Sequence, residues 1–171
     1  MRAIASDLAV GNSDFVIGVQ EVDAFQDRSD KVFQVSEIAS ELGAKYFGFA
    51  RCVIGTPGFS WRKVRNDEAI LITDSFEQRN DNPPSYGIGL ITNIPVLKWE
   101  VLALGKSIIG LPLVFPDATA GESVRPKVKF IYVKDEPRYA IASQLENGYT
   151  VVNMHLSFVP LVNLLKVQTE T

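Results

Sequence analysis

Apolar residues run unbroken from Phe15 to Val19 within the stretch DFVIGVQEVD, then give way to Gln20 and Glu21. The run is too short to cross a membrane and rich in β-branched residues, which predicts a strand buried on both faces of a layered protein. A different period frames it. Ile4, Ala5 and Leu8 mark one face of a short helix over Arg2 to Val10, ended by Gly11-Asn12. After a polar loop at Gln26 to Asp30, the positions Val32, Val35, Ile38, Ala39 and Leu42 recur at helical spacing, with Gly43 as the stop. Ala44 to Ile54 reads as an aromatic-rich strand.

Gly55 to Asn66 carries glycine, proline and basic residues and reads as a surface loop. Ala69 to Thr73 is a short strand, and Asn80 to Pro84 is irregular. Tyr86 to Thr92 and Val96 to Leu104, separated by Asn93-Ile94-Pro95, predict an antiparallel hairpin. An apolar, proline-dotted segment fills Gly105 to Pro126. Strands over Lys127 to Val133 and Tyr139 to Leu145 flank a turn at Lys134 to Pro137. Asn147-Gly148 is a strong two-residue hairpin signal leading into Tyr149 to Asn153, and Leu161 to Val167 begins a helix. Late hairpins with helices near the ends predict mixed sheets with outer helices.

Composition narrows the class. With 171 residues the chain suffices for one domain with a proper core. Its net charge of −3 gives no basic footprint, which weighs against broad binding to a nucleic-acid backbone. The single cysteine, Cys52, cannot form an internal disulfide, so nothing demands an oxidising compartment. No apolar run approaches the roughly 20 residues of a spanning helix, and the N-terminus is unlike a signal peptide. A soluble, cytoplasmic protein is the expectation.

Two side chains stand out as chemistry. Glu21 ends the buried strand on rigid backbone, where open folds keep ligand sites; read alone, it is equally a solvated strand-end cap. His155 is the one histidine and follows the last strand. Alone it reads as a packed or surface residue, but paired with Glu21 it gives two strands that each end in a chemically capable group. Phe59, Trp61, Arg62, Lys63 and Arg65 form either a basic-aromatic contact for a phosphate-bearing ligand or a solvated loop anchored by its Trp.

Three motifs, DFVIGVQEVD, YGIGLITNIPV and TVVNMHLS after the Asn-Gly hairpin, make the chain resemble the endonuclease/exonuclease/phosphatase superfamily. These are metal-dependent phosphoesterases that include deoxyribonuclease I and neutral sphingomyelinases. The motifs occur in the family's order and together cover most of the chain. The resemblance implies an α+β fold, a deoxyribonuclease I-like α/β sandwich of two packed, mixed, mostly antiparallel sheets with outer helices. It implies that Glu21 binds a divalent metal, Mg²⁺ or Mn²⁺, whose charge offsets that developing on phosphate during in-line attack by water. It implies that His155 hydrogen-bonds the scissile phosphate, an imidazolium donating to the transition state. Tyr86, Arg51 and Asn153 lie near the motifs without assigned roles.

The departures are equally specific. The family's first, asparagine-bearing strand and its GDxN and SDH motifs are missing from the sequence. The expectation is therefore a single partial domain over residues 1–171, truncated at both ends. Its activity would be phosphoester hydrolysis, weak or absent because a partial catalytic set loses most of its rate. The alternative is a non-catalytic remnant, or a lipid- or partner-binding module, that keeps the fold. The substrate is a lipid, small-molecule or nucleic-acid phosphoester, the acidic balance favouring the first two. The apolar segment Ile108 to Phe115 would, if exposed, touch a membrane surface; otherwise it is a partly buried loop or strand.

Overall fold

The computed structural model describes residues 13–57, 59–65, 67–75, 82–105, 111–116, 128–133 and 135–156. The predicted helices at Arg2 to Val10 and Leu161 to Val167 lie outside these residues, as do Ile108 to Gly110. The chain divides into two compact units, Met1–Gly105 with Pro137–His155, and Lys106–Glu136 with Leu156–Thr171. In the second, strands β7 (Leu111–Pro116) and β8 (Val128–Val133) form an antiparallel pair.

The first unit is built on two antiparallel sheets. The larger sheet orders β1 (Val16–Ala24), β5 (Ser85–Thr92) and β2 (Tyr46–Thr56) side by side. The far edge of β2 is shared by β3 (Ser60–Lys63) and β4 (Leu71–Thr73). The smaller sheet orders β10 (Thr150–Met154), β9 (Arg138–Leu145) and β6 (Val96–Gly105). One helix, α1 (Gln34–Glu41), covers the outer face of the larger sheet, and Gly43 ends its last turn with φ +64°.

Two apolar layers result. On the helix side, Phe33 meets Phe47 and Phe49 edge-on, at centroid distances of 5.6 and 5.3 Å, alongside Val35, Ala39 and Ile91. Between the sheets, Ala50, Ile88, Leu90 and Ile141 pack with Trp99 and Val151. Burying each large side chain contributes about 2 kcal/mol. Gly48 makes the close approach of the sheets possible, since a methyl there would lie 2.7 Å from the Trp99 ring.

This architecture corrects the sequence reading. The fold is mostly β, not an α/β sandwich with outer helices: all the described ladders are antiparallel and α1 is the one α-helix among the described residues. The stretch from Phe15 to Val19 packs on both faces but only part-buried, Phe15, Ile17 and Val19 against the helix-side layer and Val16 against the inter-sheet layer, and β1 pairs with β5 alone among the described strands. The strand buried throughout is β5. Nor do β5 and β6 form a hairpin. Both edges of β5 are taken, by β1 and β2, so at Asn93 the chain crosses to the smaller sheet. Thr92 and Asn93 hold that crossing: the Thr92 hydroxyl donates to the Phe15 carbonyl, and Asn93 Oδ1 accepts the Phe15 amide at 2.9 Å. The patterns of the two strands carried the difference, β5 being apolar throughout while β6 alternates Trp99 and Val101 inward with Lys98 and Glu100 outward.

The predicted loop from Gly55 to Asn66 contains β3. Within it, Arg62 is committed to Glu68 through two bonds of 2.7 and 2.6 Å, and that pairing holds the Glu68 carboxyl at about 2. A phosphate would have to compete with Glu68 for Arg62, and Phe59 stands 91% exposed. The Lys134 to Pro137 turn does not join a hairpin, for β8 pairs with β7 while β9 pairs with β6 and β10.

A methyl at Gly87 would collide with the Ala50 carbonyl oxygen, backbone that cannot step aside. Gly87→Ala should therefore cost about 3 kcal/mol or more in urea unfolding, and a midpoint near wild type would contradict the packing described.

Candidate functional site

Glu21 does not end its strand as expected: it sits at a bulge inside β1, which runs on to Ala24, and this bulge lies beside the end of β10. Val19 pairs with Gly89 and Val22 with Gly87, so Gln20 and Glu21 together oppose Ile88. Glu21 adopts a left-handed backbone, φ 55°, which a branched or long side chain rarely takes without compensation. The kink turns its carboxylate toward the other sheet. There His155, just past β10, brings Nε2 to 3.7 Å from Glu21 Oε1. The two residues singled out from the sequence therefore converge, His155 one-quarter exposed and Glu21 two-thirds exposed.

A third group was missed. Arg138, buried at the start of β9, lies with Nη1 3.0 Å from His155 Nδ1. A guanidinium only donates, so Nδ1 accepts and the imidazole is neutral with its proton on Nε2, facing Glu21. In this arrangement the fixed cation is Arg138, and His155 offers a neutral N–H. Burial foremost, then the Arg138 charge, lowers the His155 pKa below its ordinary 6.5, against an upward pull from Glu21. The signal for Arg138 was present in the hairpin. Counting back from Asn147-Gly148 pairs Met154 with Ala140, which brings His155 to the beginning of β9.

Asn153, buried two residues before His155, bonds from the smaller sheet to the larger. Its Nδ2 donates to the carbonyls of Val19 at 3.0 Å and Gly89 at 2.9 Å, while Gln20 Nε2 donates to the Met154 carbonyl at 2.8 Å. The Tyr86 ring lies beneath the Arg28 guanidinium at 5.9 Å, and Arg51 Nη1 donates to the Ala69 carbonyl at 3.3 Å.

Of the two carboxylates on β1, Glu21 is the one a divalent cation could use. Asp23, the next carboxylate on β1, is held by Arg28 through bonds of 2.8 and 2.6 Å. No group of three His, Cys, Asp or Glu side chains able to hold a metal occurs among the described residues. Glu21 alone suits only a hydrated Mg²⁺ or Mn²⁺ shared with a substrate oxygen, not a protein-enclosed metal centre. Among the described residues, no helix is long and apolar enough to cross a membrane.

Two outcomes follow from this geometry. The sole imidazole should titrate below 6.5 by proton NMR, rising in Arg138→Gln and falling further in Glu21→Gln. Because its folded pKa lies below the unfolded one, protonation favours the unfolded chain. Stability is therefore complete above pH 6.5 and is lost as pH falls through the folded value. A titration at or above 6.5 would contradict the Arg138 contact. Separately, Glu21→Gly should unfold about 0.5–1 kcal/mol above Glu21→Ala, since glycine relieves the left-handed strain; equal stabilities would show that no strain is stored there.

Compared with known proteins, the chain matches no family model, and no curated protein or solved structure is significantly similar to it.

Proposed function

We propose that the rim carrying Glu21, Arg138 and His155 binds a phosphoester and, with Mg²⁺ or Mn²⁺, hydrolyses it slowly. The observation that carries this reading is the approach of His155 Nε2 to Glu21 Oε1 at 3.7 Å, from strands far apart in sequence. The order of the motifs DFVIGVQEVD, YGIGLITNIPV and TVVNMHLS supports it independently.

The roles follow from charge and donor inventory. The Arg138 guanidinium faces the rim as the cation that attracts the anion, and the His155 Nε2–H donates to a non-bridging oxygen. Glu21 opposes an incoming phosphate by like charge unless a cation lies between them, so it is the ligand for that cation. When bound, the cation neutralises charge developing on the phosphoryl oxygens. Hydrolysis also needs a group to take a proton from the attacking water. The nearest further carboxylate on β1, Asp23, is engaged by Arg28. That favours a second reading, a site that binds phosphoesters without turning them over.

Turnover of bis(p-nitrophenyl) phosphate, with Mg²⁺ and with chelator, tests both. The expected result is slow, Mg²⁺-dependent hydrolysis that falls about tenfold or more in Glu21→Gln and in His155→Asn. Mg²⁺-dependent binding of dimethyl phosphate without turnover selects the binding module. If neither turnover nor binding is detected, the proposal fails.

A further inference from the structure

We infer that Asn153 is a positioning residue for this rim: its buried side-chain amide bridges the two sheets and sets the register in which His155 faces Glu21. The inference rests on the phosphoester reading for its consequence in binding, but its structural content stands apart from that reading. Asn153 belongs to β10 of the smaller sheet, and both of its Nδ2 bonds end on the larger one, at the Val19 and Gly89 carbonyls. Val19 lies two residues before Glu21, and Asn153 two before His155. Gln20 adds the reciprocal contact, its Nε2 reaching the Met154 carbonyl at 2.8 Å and Asn153 Oδ1 at 3.4 Å.

Each sheet thus grips the other within two residues of the group it presents. The fit is close on the opposite side as well, because a methyl at Gly18 would lie 3.1 Å from Asn153 Cγ. An apolar residue at position 153 would take this donor from the buried Gly89 carbonyl and the part-buried Val19 carbonyl, and the rim would relax until water reached them. Because the His155 Nε2 and Glu21 Oε1 atoms are 3.7 Å apart, a shift of an ångström there alters which tautomer is held and how the two groups meet a phosphate.

The test uses the full chain with three substitutions: Asn153→Ala, Gln20→Ala and, as a stability control in the helix-side core on β4, Ile72→Val. Gln20 is exposed, so Gln20→Ala folds even where Asn153→Ala does not. The first readout is the nitrogen-15 shift difference between His155 Nδ1 and Nε2 without ligand, a signature of the tautomer held by Arg138. It should collapse toward that of free imidazole in Asn153→Ala and move part of the way in Gln20→Ala, while Ile72→Val leaves it unchanged. The second readout is the affinity for dimethyl phosphate with Mg²⁺, expected to weaken about tenfold in Asn153→Ala, the loss of one charge-assisted hydrogen bond.

An unchanged tautomer signature in folded Asn153→Ala, or in Gln20→Ala should the former not fold, overturns the inference. An equal change in Ile72→Val overturns it too, since general loosening would then suffice. Should wild type bind no phosphate while the signature still shifts as described, the positioning role holds and the phosphoester reading falls instead.

Discussion

The candidate site exists because two sheets are held in one register at their rim, and a buried amide does the holding. Hydrophobic contact between the sheets is nondirectional: Ala50, Ile88, Leu90 and Ile141 would tolerate a small slide with little loss of buried area. The Asn153 bonds to Val19 and Gly89 would not, since any slide strands buried carbonyls at about 1–3 kcal/mol each. Apolar packing thus brings the sheets together, and directional polar bonds choose among the packings. A second polar residue plays a comparable part elsewhere. Gln26, buried beyond β1, donates to the Gly55 and Ser85 carbonyls and accepts from Thr56, tying the turn after β1 to β2 and β5.

The chemistry at the rim follows from which charges are fixed and which are adjustable. Arg138 cannot accept a hydrogen bond, so its contact with Nδ1 leaves His155 one protonation state compatible with that geometry. An anion that draws the guanidinium away would remove that constraint and let the imidazole gain a proton as negative charge arrives. Glu21 supplies the opposing field, exposed enough to meet solvent cations and kept aimed by the bulge. The bulge carries a backbone cost at Glu21, in the place where a side chain is turned off the pleat toward a neighbouring sheet.

Much of this was legible in the residues, for identifiable reasons. Helix α1 announced itself through Val35, Ala39 and the Gly43 stop, because its contacts are local in sequence. The β9–β10 hairpin was fixed by Asn147-Gly148, whose turn chemistry needs no tertiary context. The position of β1 at an edge was not legible, because neighbours are chosen by long-range pairing and an apolar run reads the same at an edge as at the centre. The crossing at Asn93 was hidden for the same reason. His155 was legible as following a strand end, whereas Glu21, read as one, sits at a bulge inside β1, and Arg138 and Asn153 draw their meaning from partners on other strands.

The claim that Glu21 and His155 act on one phosphate is tested most directly by a double-mutant cycle on dimethyl phosphate affinity in the presence of Mg²⁺, using Glu21→Gln, His155→Asn and the pair. Shared action predicts that the double variant loses less than the sum of the single losses, by about 1 kcal/mol. Losses that add to within about 0.3 kcal/mol would mean that the two side chains are neighbours in space and nothing more.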